Sequence, residues 1–234
     1  MREIIFDTET TGLENQADRI IEIGCIELEN QFPTGRTLHL FINPDGRKVH
    51  PDALAVHGIT DAFLADKPLF ADVAEEIVAF FDGARYVAHN ASFDIGFINA
   101  EYQRLGIPPV APDMVIDTLS LARRRHPMGP NSLDALCRRY GIDNSHRTKH
   151  GALLDAELLT DVYIEMLGGR QAALGLSAKD TASVERKTDE EVVAIGQRPR
   201  PLAPRLTDAD LQAHSALVDR IGESALWRRV SGES

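Results

Sequence analysis

The stretch IIFDTETTG, Ile4–Gly12, decides the reading of this chain. Its apolar run marks a strand, and alternate residues of a strand point to opposite faces. Asp7 and Glu9 therefore project to one side while Ile4 and Phe6 face the other. Two carboxylates that close repel each other and lose hydration, a cost that a cation between them removes. The stretch reads as one wall of a metal site, and the protein as a metal-dependent enzyme.

Strand-like runs at 3–9, 19–29 and 37–43, joined by short polar connections, predict an antiparallel meander. HPDALAVHGIT follows as a short helical or turn segment. In FADVAEEIVAFF, 70–81, the residues Phe70, Val73, Ala74, Ile77 and Phe81 recur at helical spacing. YVAH at 86–89 reads as a buried strand leading into a helix over 92–105. VIDT at 115–118 reads as another short strand, with helices near 118–125, 132–140 and 152–167. Strands first, then alternating helices and strands, predict an α/β layer with a mixed five-stranded sheet flanked by helices.

After Gly168-Gly169 the composition changes. Polar and charged stretches lead into RPRPLAPR, whose three prolines forbid a regular helix. Thr207, followed by Asp208 and Asp210, marks a new helix start. Leu211, Leu217, Val218 and Ile221 give that helix an apolar stripe ahead of the single tryptophan, Trp227. The expected organisation is a catalytic domain at 1–169, a flexible linker at 170–206 and a short helical docking segment at 207–234.

Lys plus Arg number 25 against 36 for Asp plus Glu, a formal net charge of −11. That balance excludes a protein that coats nucleic acid through a basic surface. It leaves room for an enzyme that grips a few nucleotides through metal ions. Cys25 and Cys137 lack metal or redox spacing and read as small core residues. The N-terminus does not resemble a signal peptide and no run approaches the ~20 apolar residues of a membrane span, so a cytoplasmic protein is expected.

Two further acids lie on inward helix faces. Asp94, in HNASFDIGF, shares a face with Phe97, Ile98 and Leu105; Asp155, in HGALLDAELL, shares one with Leu158, Leu159 and Val162. Either acid alone also reads as a cap or a surface carboxylate. Four acids so placed form a set of hard oxygen ligands, which selects Mg²⁺ or Mn²⁺ over zinc. Two such ions about 4 Å apart can clamp the attacking and leaving oxygens of a phosphodiester. His150 precedes Asp155 by five residues, and an ordinary pKa of about 6.5 suits it to take up a proton near neutral pH. An exposed loop histidine is the alternative.

FDTETTG, HNASFDIGF and HGALLDA resemble the three motifs of the DEDD 3′→5′ exonucleases, which have a ribonuclease-H-like fold. The His-to-Asp spacing resembles the histidine subclass. The resemblance implies that Asp7, Glu9, Asp94 and Asp155 bind two divalent ions, Mg²⁺ or Mn²⁺, with His150 as general base. It also implies substrate contacts at Asp7, Glu9, Asp155 and Thr10. Val56 and His57 of VHGIT would hold the terminal nucleotide, Asp52 stands where relatives carry Glu, and Phe93 would wall the base or sugar. NSLDALCRRYGID resembles a helix that is mainly structural in the family.

The whole chain is similar to the proofreading branch of that family, the exonuclease subunits of bacterial DNA polymerase III. The implied partners are a single-stranded or frayed DNA 3′ end, the polymerase alpha subunit, the beta sliding clamp and a small accessory subunit. Leu211, Leu217, Val218, Ile221 and Trp227 suit helix-in-groove docking on the polymerase, with an aromatic anchor. QAALGL at 171–176 resembles a clamp-binding peptide anchored by Gln171, Leu174 and Leu176. RNA 3′-end processing by the same chemistry, or an adaptor bridging polymerase and clamp, are the alternatives.

Overall fold

Arg2–Thr10 (β1), Ile20–Glu29 (β2) and Phe32–Phe41 (β3) pair antiparallel, while Arg85–Ala88 (β4) and Val115–Asp117 (β5) extend the other side in parallel. The strand order is β3-β2-β1-β4-β5, which puts β1 at the centre. The coordinates are a computed structural model that describes residues 1–147, 149–169 and 207–222. β3 begins five residues ahead of the expected 37. The reversal is made by Asn30 and Gln31, both at positive φ (52° and 70°), so the chain turns at once into the ladder. No glycine marks that turn, which hides it from a sequence reading.

Among the described residues, seven α-helices dress the sheet: Pro51–His57 (α1), Asp61–Leu64 (α2), Phe70–Phe81 (α3), Ser92–Arg104 (α4), Thr118–Arg125 (α5), Leu133–Tyr140 (α6) and Ala152–Met166 (α7). The period-2 alternation of β1 decides which helices lie on which face. Ile4 and Phe6 pack with Ile77 and Phe81 of α3 and with Phe97 and Ile98 of α4. Ile5 packs on the opposite face with Leu136 of α6 and Ala156, Leu159 and Val162 of α7. α3 has the bounds its periodicity predicts, and every apolar residue of the expected stripe is buried, with Phe80 added. Cys25 and Cys137 are buried and free.

One close approach ties the fold to the site. Gly24 of β2 is the ladder partner of Asp7. A Cβ at Gly24 would lie 2.2 Å from the Leu153 nitrogen and 2.4 Å from the Ala152 carbonyl carbon. Only a hydrogen fits, so the first turn of α7 sits directly on β2 beside Asp7. That seat delivers Asp155 to the same spot.

The chain divides into two units, Met1–Asp180 and Thr181–Ser234. In the second, Asp208–Ile221 forms a helix (α8) that starts at Thr207 as the sequence predicts. The Asp210 carboxylate accepts the Thr207 N–H at 2.9 Å, and the Thr207 hydroxyl accepts the Asp210 N–H at 3.3 Å. Leu211, Leu217 and Ile221 are about half exposed. Trp227, the clamp-peptide residues Gln171, Leu174 and Leu176, and the expected linker lie outside the described residues.

The Gly24 seat yields an expectation. Gly24→Ala should lower stability by about 1–3 kcal/mol, the usual scale of overpacking against unyielding atoms. Urea unfolding should show a lower midpoint at unchanged slope; an unchanged midpoint would show that α7 does not rest on this glycine.

Candidate active site

Asp7 and Glu9 stand on the Ile5 face of β1, toward α7, while Thr8 between them turns toward α4. Asp94, in the first turn of α4, is buried, and its Oδ1 accepts the Thr8 N–H at 3.1 Å and the Thr8 hydroxyl at 2.6 Å. Asp155, in the first turn of α7, is buried among Leu158, Leu159 and Val162. Asp7, Glu9, Asp94, His150 and Asp155 line one cleft of about 310 Å³. Donor atoms of Glu9, His150 and Asp155 lie within 4.8 Å of one another. Four acids and the histidine thus meet, from three elements and a loop.

Local structure fixes each approach. The register of β1 against β2 shifts between Glu9 and Thr10, a bulge that ends regular pairing at the site. Asp117 Oδ1 accepts the N–H groups of Asn90 (3.1 Å), Ala91 (3.3 Å) and Leu119 (3.1 Å), tying the start of α4 to that of α5. Asn90 adopts φ 65° to make this turn. Leu105 departs from the expected inward face: α4 ends at Arg104, and Leu105 is its cap, 40% exposed.

The electrostatics follow from crowding without water. Burial, then the charges of Asp94, Asp155 and Glu9, hold the Asp7 carboxyl well above the ordinary range. Burial, then Glu22, Asp155 and Asp94, push Glu9 up to about 8. Burial raises Asp94 to about 7 against the opposing Thr8 hydrogen bonds. Arg147 works the other way on both Asp7 and Glu9. Its Nε and Nη2 donate to the two Asp155 oxygens at 2.5 and 2.7 Å, and Nη1 donates to Asp134 at 2.9 Å.

The other expected positions separate into groups. Phe93 lines the cleft beside Asp94 and packs on Phe97 at 4.9 Å between centroids. Thr10 is buried with its hydroxyl donated to the Gly12 carbonyl at 2.6 Å, which leaves its backbone as the other of the two contacts, backbone or hydroxyl, expected of it. Val56 and Asp52 line a neighbouring cavity with Leu13 and His50, and Asp52 stands clear of the acid cluster. The two cavities adjoin through the backbone, where the His150 N–H donates to the Val56 carbonyl at 3.4 Å. His57 is buried, and burial lowers its pKa. Its Nδ1 accepts the Ile59 N–H at 2.9 Å, so the neutral ring carries its proton on Nε2, which makes no close hydrogen bond among the described residues but faces the Thr10 backbone, a contact that opposes the effect of burial on its pKa.

Three participants escape a sequence reading. Glu22 is the ladder partner of Glu9, buried, and bonded to His39 Nε2 at 2.7 Å. Its signal was an acid alternating inside an apolar strand. Arg147 and Asp134 carried none, because a loop arginine and a helix-start aspartate are usually solvated. The helix read as mainly structural therefore also supplies a group at the cleft.

The fold and site define a nuclease, and the comparisons agree: the exonuclease family matches residues 4–163, and the chain belongs to that family. It is 44% identical over 239 residues to DNA polymerase III subunit epsilon of Escherichia coli (strain K12), covering 97% of each chain. The same subunit of Pasteurella multocida (strain Pm70) is 46% identical over 221 residues, 91% of this chain and 86% of that protein. Among solved structures, Exonuclease X in complex with 5′ overhanging duplex DNA superposes with a TM-score of 0.54 at 32% identity, over 71% of this chain and 90% of that one. The nuclease domain of 3′hExo, a DEDDh family member bound to rAMP, gives 0.61 at 17% identity over 71% and 91%, and speaks to the fold alone. No helix among the described residues is long and apolar enough to cross a membrane.

Exonucleases of this kind use divalent metals, and the residues present fit one. The donor set is oxygen-rich, and burial, joined at Asp7 and Glu9 by mutual repulsion, raises the pKa values of Asp7, Glu9 and Asp94. The sign of the pH dependence follows. Ionising an acid whose folded pKa is raised opposes folding, so stability falls as pH climbs from the ordinary value to the folded one. For Glu9 that window runs from 4.5 to about 8. In EDTA, the melting temperature should decline across this window; with Mn²⁺ the decline should shrink. A flat profile in EDTA would contradict the clustering of buried acids.

Proposed function

We propose that this chain is the 3′→5′ proofreading exonuclease of a bacterial replicative DNA polymerase, removing mispaired 3′-terminal nucleotides by two-metal-ion hydrolysis. One observation carries the reading: Asp7, Glu9, Asp94 and Asp155 converge at one strand end with His150 at the cleft mouth. Similarity to the epsilon subunits along 97% of the chain supports the replicative context.

Asp7, Glu9, Asp94 and Asp155 would hold Mg²⁺ or Mn²⁺. Bound there, the ions supply Lewis-acid polarisation of a phosphodiester and a more acidic water. His150, its side chain 48% exposed, takes the proton from the attacking water and passes it to solvent. Phe93 offers an apolar wall to the terminal sugar or base, and Val56 a second one from the adjoining cavity. His57 offers its Nε2–H, which faces the Thr10 backbone at the edge of the site. Thr10 contributes through its backbone. Frayed or single-stranded ends are preferred because a paired terminus must first unpair, and a mispair lowers that cost.

The segments beyond residue 169 are assigned to partners. The α8 stripe of Leu211, Leu217, Val218 and Ile221, continued by Trp227, docks on the polymerase alpha subunit. Gln171, Leu174 and Leu176 contact the beta clamp. A small accessory subunit completes the assembly, which keeps DNA near a chain of net charge −11.

A mispaired-primer assay with Mg²⁺ tests the chemistry. Asp155→Ala should keep its fold, since Asp134 still pairs with Arg147, and lose activity about a hundredfold or more, the scale of lost metal assistance. Substantial activity in that variant would refute the assignment, and faster cleavage of RNA than of DNA oligonucleotides would redirect it to RNA ends. A chain cut after residue 169 should retain nuclease activity and lose polymerase binding; retained binding would refute the role given to the second unit.

A further inference from the structure

Among the described residues, Arg147 is the one arginine or lysine lining the acidic cleft. Its side chain is 8% exposed, well inside the protein surface. The guanidinium occupies both Asp155 oxygens, at 2.5 and 2.7 Å, and its Nη2 lies 2.8 Å from His150 Nδ1. Nη2 also lies 3.3 Å from His150 Nε2, and His150 Nδ1 lies 3.3 Å from Asp155 Oδ2; a guanidinium has only donors, so the ring nitrogen that meets it accepts, and a lone pair of the ring is in use. The far end, Nη1, rests 2.9 Å from Asp134 Oδ1, itself fixed by Asn144 Nδ2 at 2.9 Å. Asp134 is 44% exposed and sits toward the rim.

The atoms so engaged are those the proposed chemistry needs. A small divalent ion binds a carboxylate oxygen at about 2.0–2.1 Å, and it would face a positive guanidinium nitrogen across that same oxygen. Like charges that close, in a cleft with little water, exclude each other. Asp155 can serve the ion or Arg147 with both its oxygens, not both partners together.

We propose that Arg147 is a displaceable internal cation: it holds Asp155 and His150 until a divalent ion drives it off, releasing the ligand and the base together. Asp134 serves as its pivot. Arg147 is here a positioning residue, and the inference rests on the metal-dependent reading above. The opposing view is a permanent clamp that stays in place with metal bound.

Calorimetric titration of Mn²⁺ into the full-length chain and into Arg147→Gln separates the two. The variant should bind Mn²⁺ about tenfold more tightly, the scale of a charge-assisted bond pair removed from competition. Its melting temperature in EDTA should fall, and the rise on adding Mn²⁺ should grow. Equal or weaker binding overturns the interlock, whereas failure of the unmodified chain to bind Mn²⁺ overturns the metal reading as well. A second measurement needs no folded glutamine variant. Exchange of the Arg147 Nε–H, assigned by its loss in Arg147→Lys, should quicken when the unmodified chain is saturated with Mg²⁺; protection that persists at saturation also overturns the proposal.

Discussion

Buried like charge at one end of a central strand is the constraint around which this protein is organised. Asp7 and Glu9 cannot avoid each other, because strand geometry puts them on one face two residues apart. Asp94 and Asp155 are then brought to the same place by helices whose other residues are held in two apolar cores. Each approach has a specific cause: Thr8 fixes Asp94 by two hydrogen bonds, and Gly24 lets α7 sit close enough to present Asp155. The packing stabilises an arrangement that electrostatics alone would scatter.

How the molecule tolerates that arrangement explains much of its chemistry. Protonation of the most crowded acids and one buried guanidinium offset the repulsion in part. Divalent cations held by these carboxylates would offset it further, so affinity for metal and the strain of folding would be two views of one interaction. A site of this kind is attractive to divalent ions and repellent to a bare phosphate backbone. On the proposed function a polyanionic substrate would meet the cleft through such ions, and tethering to partners would supply the proximity that a chain of net charge −11 does not.

Much of this was legible in the linear chain. The three strands, α3 and the start of α8 were written in local periodicity and capping residues, and the five motif residues in spacing along three segments. The exceptions are instructive. β3 starts early because Asn30 and Gln31 take left-handed conformations that no glycine announces. Leu105 leaves its expected face because α4 stops one residue before it. The Thr10 hydroxyl donates inside its own loop, and Asp52 and Val56 together line a neighbouring cavity, placements that the segment patterns do not announce.

Alone, the sequence determined what each segment is and which side chains carry charge inward, since hydrophobic period and residue type act over a few neighbours. The tertiary structure decided who meets whom. Thr8 reaches Asp94 across 86 residues, Glu22 lies opposite Glu9 through strand register, and Arg147 meets Asp155 at the turn of α7 that rests against Gly24. Those contacts depend on distances between packed elements, which no local pattern encodes.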